Sequence, residues 1–236
     1  MEQHGHSQAE VEARIGSPPG HGHLRDMVYG AIDGSITTFA IVAGVAGAGL
    51  SPVVIVALGI ANVLADGFSM AAANYSGTKT EADNIARLRQ IEARHIADNP
   101  AGERREAREI LRQKGLSGAV LETATDAITA DHDAWIALML EGEYGLSPVD
   151  PNPMRAALAT FFAFLLAGFV PLVPFILGLP SAFGLSAGLT LGMFFAIGVW
   201  KSRWSVAAWW RSGAETLAIG GVAAAIAYAV ASLFAA

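Results

Sequence analysis

The sequence predicts an all-α membrane protein of five transmembrane helices, with a helical, water-soluble insert between the second and third. Two features of the composition lead to this prediction. Hydrophobic residues make up 53% of the chain and charged residues only 15%, whereas about a quarter of the residues in an average soluble domain are charged. The apolar residues also form long blocks in both halves of the chain, and most charges lie between those blocks.

Five apolar stretches are long enough to cross a bilayer, because a membrane-spanning helix needs about 20 mostly apolar residues. The predicted spans cover about 27–50, 53–76, 154–177, 182–200 and 213 to the C-terminus. They divide the chain into a polar tail (1–25), spans 1 and 2 (26–77), the insert (78–153) and spans 3 to 5 (154–236). The tail has no apolar core, so we expect no cleavable signal peptide.

Basic residues predict the orientation in the membrane, since Lys and Arg concentrate in cytoplasmic loops. All 15 of them lie in the tail, in 79–155 or in 201–211, and the other connections have none. We therefore expect the N-terminus, the insert and the 201–211 loop to face the cytoplasm. With five spans, the C-terminus then faces outward.

Composition also excludes some kinds of site and partner. The chain has no cysteine, so it can form neither disulfides nor thiolate metal sites. Its net charge of −6 argues against a nucleic-acid partner, which needs clustered Lys and Arg. Any metal must bind oxygen, imidazole nitrogen or methionine sulfur.

The insert has the pattern of three or four amphipathic helices. Its first helix continues out of span 2 and ends at Asn99-Pro100, because proline is favoured just after a helix end. Ser117 is a candidate N-cap for a later helix, and Gly115 a candidate C-terminal glycine for the one before it. The predicted helices cover about 81–98, 102–114, a segment from 117, and 131–144.

Small residues recur at every fourth position in the fourth span, at Gly184, Gly188 and Gly192. Such a row allows close helix contact. We interpret it as ordinary packing within the chain, and the alternative is a seam between two copies.

A polar stripe follows the second span, since Asn62, Asp66, Met70 and Asn74 recur at every fourth residue and share one helix face. Asp33 lies on the neighbouring span. Ionisable residues inside a membrane are costly and usually functional, so we interpret Asp33, Asn62, Asp66 and Met70 as lining an ion path. Carboxylates there can exchange a proton for a metal ion, which is the minimal chemistry of an antiporter. The alternative is a set of buried hydrogen bonds between helices.

The insert carries a second group of candidate ligands, on three helices. Residues three or four apart share a helix face, and carboxylate, imidazole and thioether together suit a divalent first-row metal better than Ca²⁺ or Mg²⁺. The candidates are Glu92 and His95 on the first helix, Glu103, Glu106 and Glu109 on the second, and Met139 and Glu143 on the last.

Two other interpretations of these acidic residues stay open. They can form a solvated face paired with the nearby arginines 94, 104, 105 and 108. Glu92-x-x-His95 also has the spacing of a di-iron carboxylate site. Such a site needs two of these motifs, and the sequence contains one, which weakens the interpretation as an iron oxidase.

Four stretches carry a resemblance to a known family. Two lie in the first two spans, Asp33-Gly34-Ser35-Ile36-Thr37-Thr38-Phe39-Ala40 and Ala61-Asn62-Val63-Leu64-Ala65-Asp66-Gly67-Phe68-Ser69-Met70-Ala71. The others are Asp131-His132-Asp133-Ala134-Trp135 in the insert and Arg211-Ser212-Gly213-Ala214-Glu215 before the fifth span. Through them the chain resembles the vacuolar iron transporter family from about Leu24 onward.

The resemblance implies a five-span homodimer that moves Fe²⁺ out of the cytosol in exchange for protons. It also implies a path lined by Asp33 and Met70, and a three-helix cytoplasmic domain that binds the metal. The ligands that it implies there are Glu92, Glu103, Glu106, Met139 and Glu143. The chain departs from the family pattern at His95, where a second glutamate is expected, and at Leu140, where some members have methionine.

We therefore expect a proton-coupled divalent metal transporter, not an enzyme, in the cytoplasmic (inner) membrane of a bacterium. Its substrate is Fe²⁺, with Mn²⁺, Co²⁺ and Zn²⁺ as further candidates, and we expect no prosthetic group. Its partners are membrane lipid, divalent metal ions, protons and a second copy of the chain. The alternatives are a membrane-anchored metal sensor or buffer, and an iron oxidase.

Overall fold

A computed structural model of the chain describes residues 7–16, 22–146 and 150–233. The chain divides into two compact units. We call Gly22–Gly77 with Pro153–Ala236 the membrane unit, and Thr78–Asn152 the insert, which groups with the N-terminal segment. Residues 1–6 and 17–21 of the predicted tail lie outside the described ranges.

Most of the described residues are helical, and no strand occurs among them. The α-helices are α1 (Gln8–Gly16), α2 (Leu24–Gly47), α3 (Pro52–Asp98), α4 (Pro100–Gln113), α5 (Gly118–Thr129), α6 (His132–Gly142), α7 (Pro153–Phe169), α8 (Val173–Ile176), α9 (Ala182–Lys201) and α10 (Trp209–Ser232). Two short 3₁₀ helices cover Val170–Leu172 and Ser202–Trp204.

Five helical segments in the described ranges are long and apolar enough to cross a membrane, which confirms the predicted fold class. They comprise α2, α3, the run Pro153–Ile176, the run Ala182–Trp204, and α10. As the sequence predicts, the second span continues without a break into the insert, because α3 runs to Asp98.

The third span differs from the single helix that the sequence predicts over 154–177. Helix α7 ends at Phe169, and a 3₁₀ turn and the short α8 complete the span. Pro171 and Pro174 lie in this stretch. Proline has no backbone N–H and clashes with the preceding turn, which explains why the regular helix stops there.

Helix α2 lies at the centre of the membrane unit and contacts α7, α9 and α10. Its Val42 and Val45 belong to a buried cluster with Ile55 and Val63 of α3 and with Leu172. Near its start it meets α7 through glycines. A Cβ added at Gly34 would lie 2.5 Å from the carbonyl oxygen of Phe164, so the two backbones are in direct contact.

We expect Gly34→Ala to destabilise the protein, since neither backbone can yield without disturbing the α2–α7 packing. Overpacking of this kind costs about 1–3 kcal/mol. Thermal unfolding in detergent measures the effect. Gly44→Ala on the same helix is the control, because no atom of the described residues lies within 4 Å of its added Cβ; it should be neutral or stabilising. Equal melting temperatures for the two variants would contradict the close contact.

The glycine row of α9 does not pack within the chain as the sequence predicts. Nothing in the described ranges lies within 4 Å of a Cβ added at Gly184, Gly188 or Gly192. The interpretation as intrachain packing is therefore wrong for this row. Gly220 on α10 does pack closely, against the ring of Phe194 on α9.

The insert is a helical unit with its own small core, formed by Ile96, Ala107, Trp135 and Met139. The predicted helix boundaries hold to within a few residues. The Asn99 side chain caps α4 by accepting a hydrogen bond from the Gly102 N–H at 3.1 Å. Ser117 occupies the N-cap position of α5, but its side chain makes no capping hydrogen bond, so its predicted capping role is wrong.

Candidate metal centre and transport path

Three candidate ligands of the insert converge at the junction of α3 and α4. The Nδ1 atom of His95 lies 3.6 Å from Oε1 of Glu92 and 3.9 Å from Oε1 of Glu103. Each of the three residues offers one potential ligand atom, and these three atoms lie within 4.8 Å of one another. Helix α3 ends at Asp98 and α4 begins at Pro100, and across this junction Glu103 lies within 3.9 Å of His95.

The two carboxylates of this cluster are buried and only partly satisfied. Glu92 is fully buried and Glu103 nearly so. The Oε2 atom of each has no hydrogen-bond partner in the part of the chain that the structure describes. Buried polar atoms are nearly always paired, and an unpaired buried carboxylate oxygen is costly. Both oxygens are therefore suited to binding a cation.

Two further candidate carboxylates, Glu106 and Glu143, lie close enough for their charges to act on the cluster. Burial is the main cause that raises the pKa of Glu103 above its ordinary value, followed by the charges of Glu106 and Glu92; His95 opposes the shift. Burial also raises the pKa of Glu143, and Glu92 and Glu106 add to the effect. Four carboxylates therefore repel one another here, and a bound dication would relieve that repulsion.

Tyr144 completes the polar wall of the site. Its hydroxyl donates a hydrogen bond of 2.8 Å to Oε1 of Glu92. Burial and this hydrogen bond raise the pKa of the Tyr144 phenol, so the group stays a neutral donor. The bond holds Glu92 in one orientation, with its other oxygen unpaired. His95 remains half-exposed, and this leaves the cluster accessible to an ion from solvent.

Met139 is fully buried and packs in the apolar cluster of the insert, beside Ile96, Ala107 and Trp135. A methionine in such surroundings serves packing, and its thioether can also bind a soft metal. Its predicted role as a ligand stays a prediction.

Three arginines of the insert form ion pairs with acidic residues outside the Glu92-His95-Glu103 cluster. Arg104 contacts Asp126 at 2.6 Å, and Arg108 contacts Glu122 at 2.7 Å. Arg112 holds Glu109 through two hydrogen bonds of 2.7 Å and lowers the pKa of Glu109 to about 2. The solvated, ion-paired interpretation therefore describes Glu109 and not Glu92 or Glu103.

The candidate path in the membrane unit follows the contact between α2 and α3. Near one end of this path, the Asn62 side-chain amide donates a hydrogen bond of 3.4 Å to Thr37 Oγ1. Near the other end, the Asn74 side-chain amide donates a hydrogen bond of 3.0 Å to Asp26 Oδ1. Between these ends, the carboxylate charges of Asp33 and Asp66 lie close enough to interact. These contacts place the stripe of α3 against α2 in an antiparallel register.

The four predicted path residues are buried to a similar extent; they are Asp33, Asn62, Asp66 and Met70. Each is half-buried within the chain, although residues between them on α3, such as Leu64 and Phe68, are exposed. A single chain therefore covers this polar stripe on one side only.

The comparisons with known proteins agree with the sequence motifs. Residues 24–232 match the VIT family. The chain is 33% identical over 214 residues to vacuolar iron transporter 1 of Arabidopsis thaliana, covering 89% of this chain and 85% of that protein. The chain belongs to the VIT family.

Two other relatives of this VIT protein are also named vacuolar iron transporters. Vacuolar iron transporter 2 of Oryza sativa is 30% identical over 213 residues, covering 88% of this chain and 86% of that relative. The vacuolar iron transporter of Toxoplasma gondii is 34% identical over 177 residues, covering 74% and 58% of the two chains.

Membership confirms the family that the sequence resembles. VIT members are transporters, so the prediction that this chain is not an enzyme is also confirmed. Together with the five apolar helices, membership makes the chain a multi-pass membrane protein. The Glu92-His95-Glu103 cluster and the α2–α3 stripe are thus features of a VIT protein.

Two polar residues beside these sites were missed by the sequence analysis. Tyr144 follows Glu143 directly, and a hydroxyl next to a candidate ligand was a usable signal. Asp26 lies seven residues before Asp33, which puts both on one face of α2. Asp26 is buried, and it contacts His23 Nδ1 at 3.2 Å and the Asn74 amide. It lies at the start of α2, two turns from Asp33.

Proposed function

We propose that this VIT protein moves Fe²⁺ and related divalent first-row metals out of the cytosol in exchange for protons. The observation that carries the proposal is the pair of half-buried carboxylates, Asp33 and Asp66, on two membrane-spanning helices that hydrogen bonds join on either side of the pair. A sensor or a buffer has no need of two ionisable groups inside a membrane, where each is costly. The names of the relatives point to the same substrate.

The carboxylate pair supplies the exchange chemistry. Two neighbouring carboxylates repel each other, and either one dication or two protons can neutralise them. Binding of the metal therefore competes with protonation at the same two groups, which couples the two fluxes. Asn62 adds an amide oxygen and Met70 a thioether, and a softer ligand of this kind favours first-row transition metals over Mg²⁺ or Ca²⁺.

The insert is proposed to bind the metal on the cytosolic side. Ligand atoms about 2.0–2.2 Å from one ion lie roughly 3–4 Å from one another. The separations of 3.6 and 3.9 Å from His95 Nδ1 to the Oε1 atoms of Glu92 and Glu103 place both carboxylates in this range, and each carboxylate also offers its unpaired Oε2 atom. Glu92, His95 and Glu103 therefore form the proposed primary site. Glu106, Glu143 and Met139 are the further proposed ligands.

We further propose a homodimer in the bacterial cytoplasmic membrane, with the N-terminus and insert inside and the C-terminus outside. The half-buried stripe of α3 supports the dimer. Polar groups facing hydrocarbon are costly, and a second copy on this side would cover them. The positions of the basic residues support the orientation, since the connections at 48–51 and 178–181 carry none.

The test is metal uptake by proteoliposomes that contain the full-length protein, followed with a metal-sensitive dye. We expect Fe²⁺ flux well above that of protein-free liposomes, with Mn²⁺, Co²⁺ and Zn²⁺ ranked by rate. Oxygen consumption is recorded on the same samples. Metal binding without flux would favour a sensor or buffer, and oxygen consumption on adding Fe²⁺ would favour an oxidase.

His95 should set the metal preference of the insert. Imidazole nitrogen favours Zn²⁺, Co²⁺ and Ni²⁺, whereas an all-carboxylate site suits Mn²⁺. We expect His95→Glu, which restores the family pattern, to shift the ratio of Zn²⁺ to Mn²⁺ affinity toward Mn²⁺ on the order of tenfold. Competition titrations on the full-length protein measure this ratio. His132→Glu, an exposed histidine outside the cluster, should leave it unchanged.

A further inference from the structure

A cavity of about 390 Å³ opens at the basic end of the membrane unit. Its walls come from the start of α2, the end of α9 with the following turn, and the first turns of α10. Two cations line it, Arg25 and Lys201, together with Tyr29, Trp204 and Glu215. The proposed transport mechanism uses none of these five side chains.

Both cations keep donor capacity for a ligand. The Arg25 guanidinium lies 3.9 Å from Asp26 Oδ1, and the Lys201 ammonium lies 3.7 Å from Glu215 Oε2. Both distances are longer than a hydrogen bond. Asp26 is already bonded to the Asn74 amide. An anion in the cavity can therefore accept hydrogen bonds from both cations.

The rest of the wall suits an amphipathic ligand. Tyr29 and Trp204 are both more than half exposed, and Trp204 meets Trp200 edge to face with ring centroids 5.5 Å apart. Trp and Tyr are typical of the headgroup level of a bilayer. Leu24 and Val28 also line the cavity, and they lead onto the apolar length of α2.

We propose that this cavity binds the phosphodiester headgroup of an anionic phospholipid. Arg25 and Lys201 hold the phosphate, and the aromatic rim and α2 contact the glycerol and acyl chains. Inorganic phosphate shares the charge but has no acyl chains to fill the apolar part. Basic pockets between membrane helices on the cytoplasmic side favour anionic lipid, and this end of the protein carries the basic residues of the membrane unit.

The test uses full-length protein in a neutral detergent, with retention of added lipid measured by native mass spectrometry. Phosphatidylglycerol is compared with phosphatidylcholine and with inorganic phosphate. We expect phosphatidylglycerol alone to be retained and to raise the melting temperature. Each basic residue near an anionic headgroup contributes roughly fivefold in affinity, so the double variant Arg25→Gln with Lys201→Gln should lower retention about twenty-fivefold.

Two further variants separate this site from general surface charge. Arg203→Gln removes a charge from the same loop but outside the cavity, and it should retain the lipid. Glu215→Gln removes the carboxylate that competes for Lys201, and it should increase retention. Equal losses for Arg203→Gln and the double variant, no change for Glu215→Gln, or an equal effect of inorganic phosphate would overturn the proposal.

Discussion

Replacing Asp33 by asparagine is expected to abolish metal transport and to leave both the fold and metal binding by the insert intact. Asparagine keeps the shape of the side chain but can neither neutralise a dication nor carry a proton. Since even outer-shell substitutions at metal sites cost about 10–100-fold, we expect a fall in Fe²⁺ flux of about a hundredfold or more. Flux in proteoliposomes and metal titration of the detergent-solubilised protein measure the two properties separately.

Asp66→Asn should have the same effect as Asp33→Asn, because the two carboxylates act as a pair. Asp83→Asn is the matched control. Asp83 lies on the same helix as Asp66 but is exposed in the insert, where it pairs with Lys79 at 2.8 Å. We expect its flux to match that of the wild type. Normal flux in Asp33→Asn, or an equal loss in Asp83→Asn, would contradict the proposed path.

Replacing Glu103 by glutamine is expected to remove metal binding by the insert and to stabilise the metal-free protein. The carboxylate is one of three ligands in the cluster, so the variant loses the metal-induced stabilisation. For the wild type this amounts to about 2.7 kcal/mol at a metal concentration one hundred times Kd. Thermal unfolding with and without metal measures both effects.

The raised pKa of Glu103 determines how the stability of the metal-free protein depends on pH. Burial and the neighbouring carboxylates raise the pKa of Glu103 in the folded state above its ordinary value of 4.5. The folded state then binds more protons than the unfolded state between those two pKa values, so stability falls as the pH rises through that window. In Glu103→Gln this contribution is absent, and the fall should be smaller.

Glu109→Gln is the control on the same helix. Glu109 is held by Arg112 in an exposed ion pair, and its pKa is lowered, so this group contributes stability that is lost as the pH falls. We expect Glu109→Gln to bind metal as the wild type does. If Glu103→Gln still binds metal, or if Glu109→Gln fails to, the proposed ligand set is wrong.

Hydropathy was sufficient to predict the five spans, because each requires about 20 apolar residues and few other structures do. It also predicted the continuous α3, since no helix breaker separates span 2 from the insert. It did not predict the break after Phe169, where Pro171 and Pro174 lie within an apolar run that still spans the membrane. Nor did it show that the glycine row of α9 faces away from the rest of the chain.

The metal cluster was predictable in part. The i, i+3 spacing predicted that Glu92 and His95 share a face, and Asn99-Pro100 predicted where α3 ends. The same spacing suggested that Glu109 belongs with Glu103. Each step of three residues turns about 300° around a helix of 3.6 residues per turn, so two steps place Glu109 about 120° away, where Arg112 holds it. The hydrogen bond from Tyr144 depends on tertiary packing that no local pattern reveals.

The most direct test of the central claim is simultaneous recording of Fe²⁺ and internal pH in proteoliposomes with an imposed pH gradient. We expect the pH gradient to drive Fe²⁺ against its own concentration gradient while protons move the opposite way. Reversing the pH gradient should reverse both fluxes. Fe²⁺ flux that does not respond to the pH gradient would contradict proton exchange at Asp33 and Asp66. No flux with either gradient, from protein that still binds metal, would contradict transport itself.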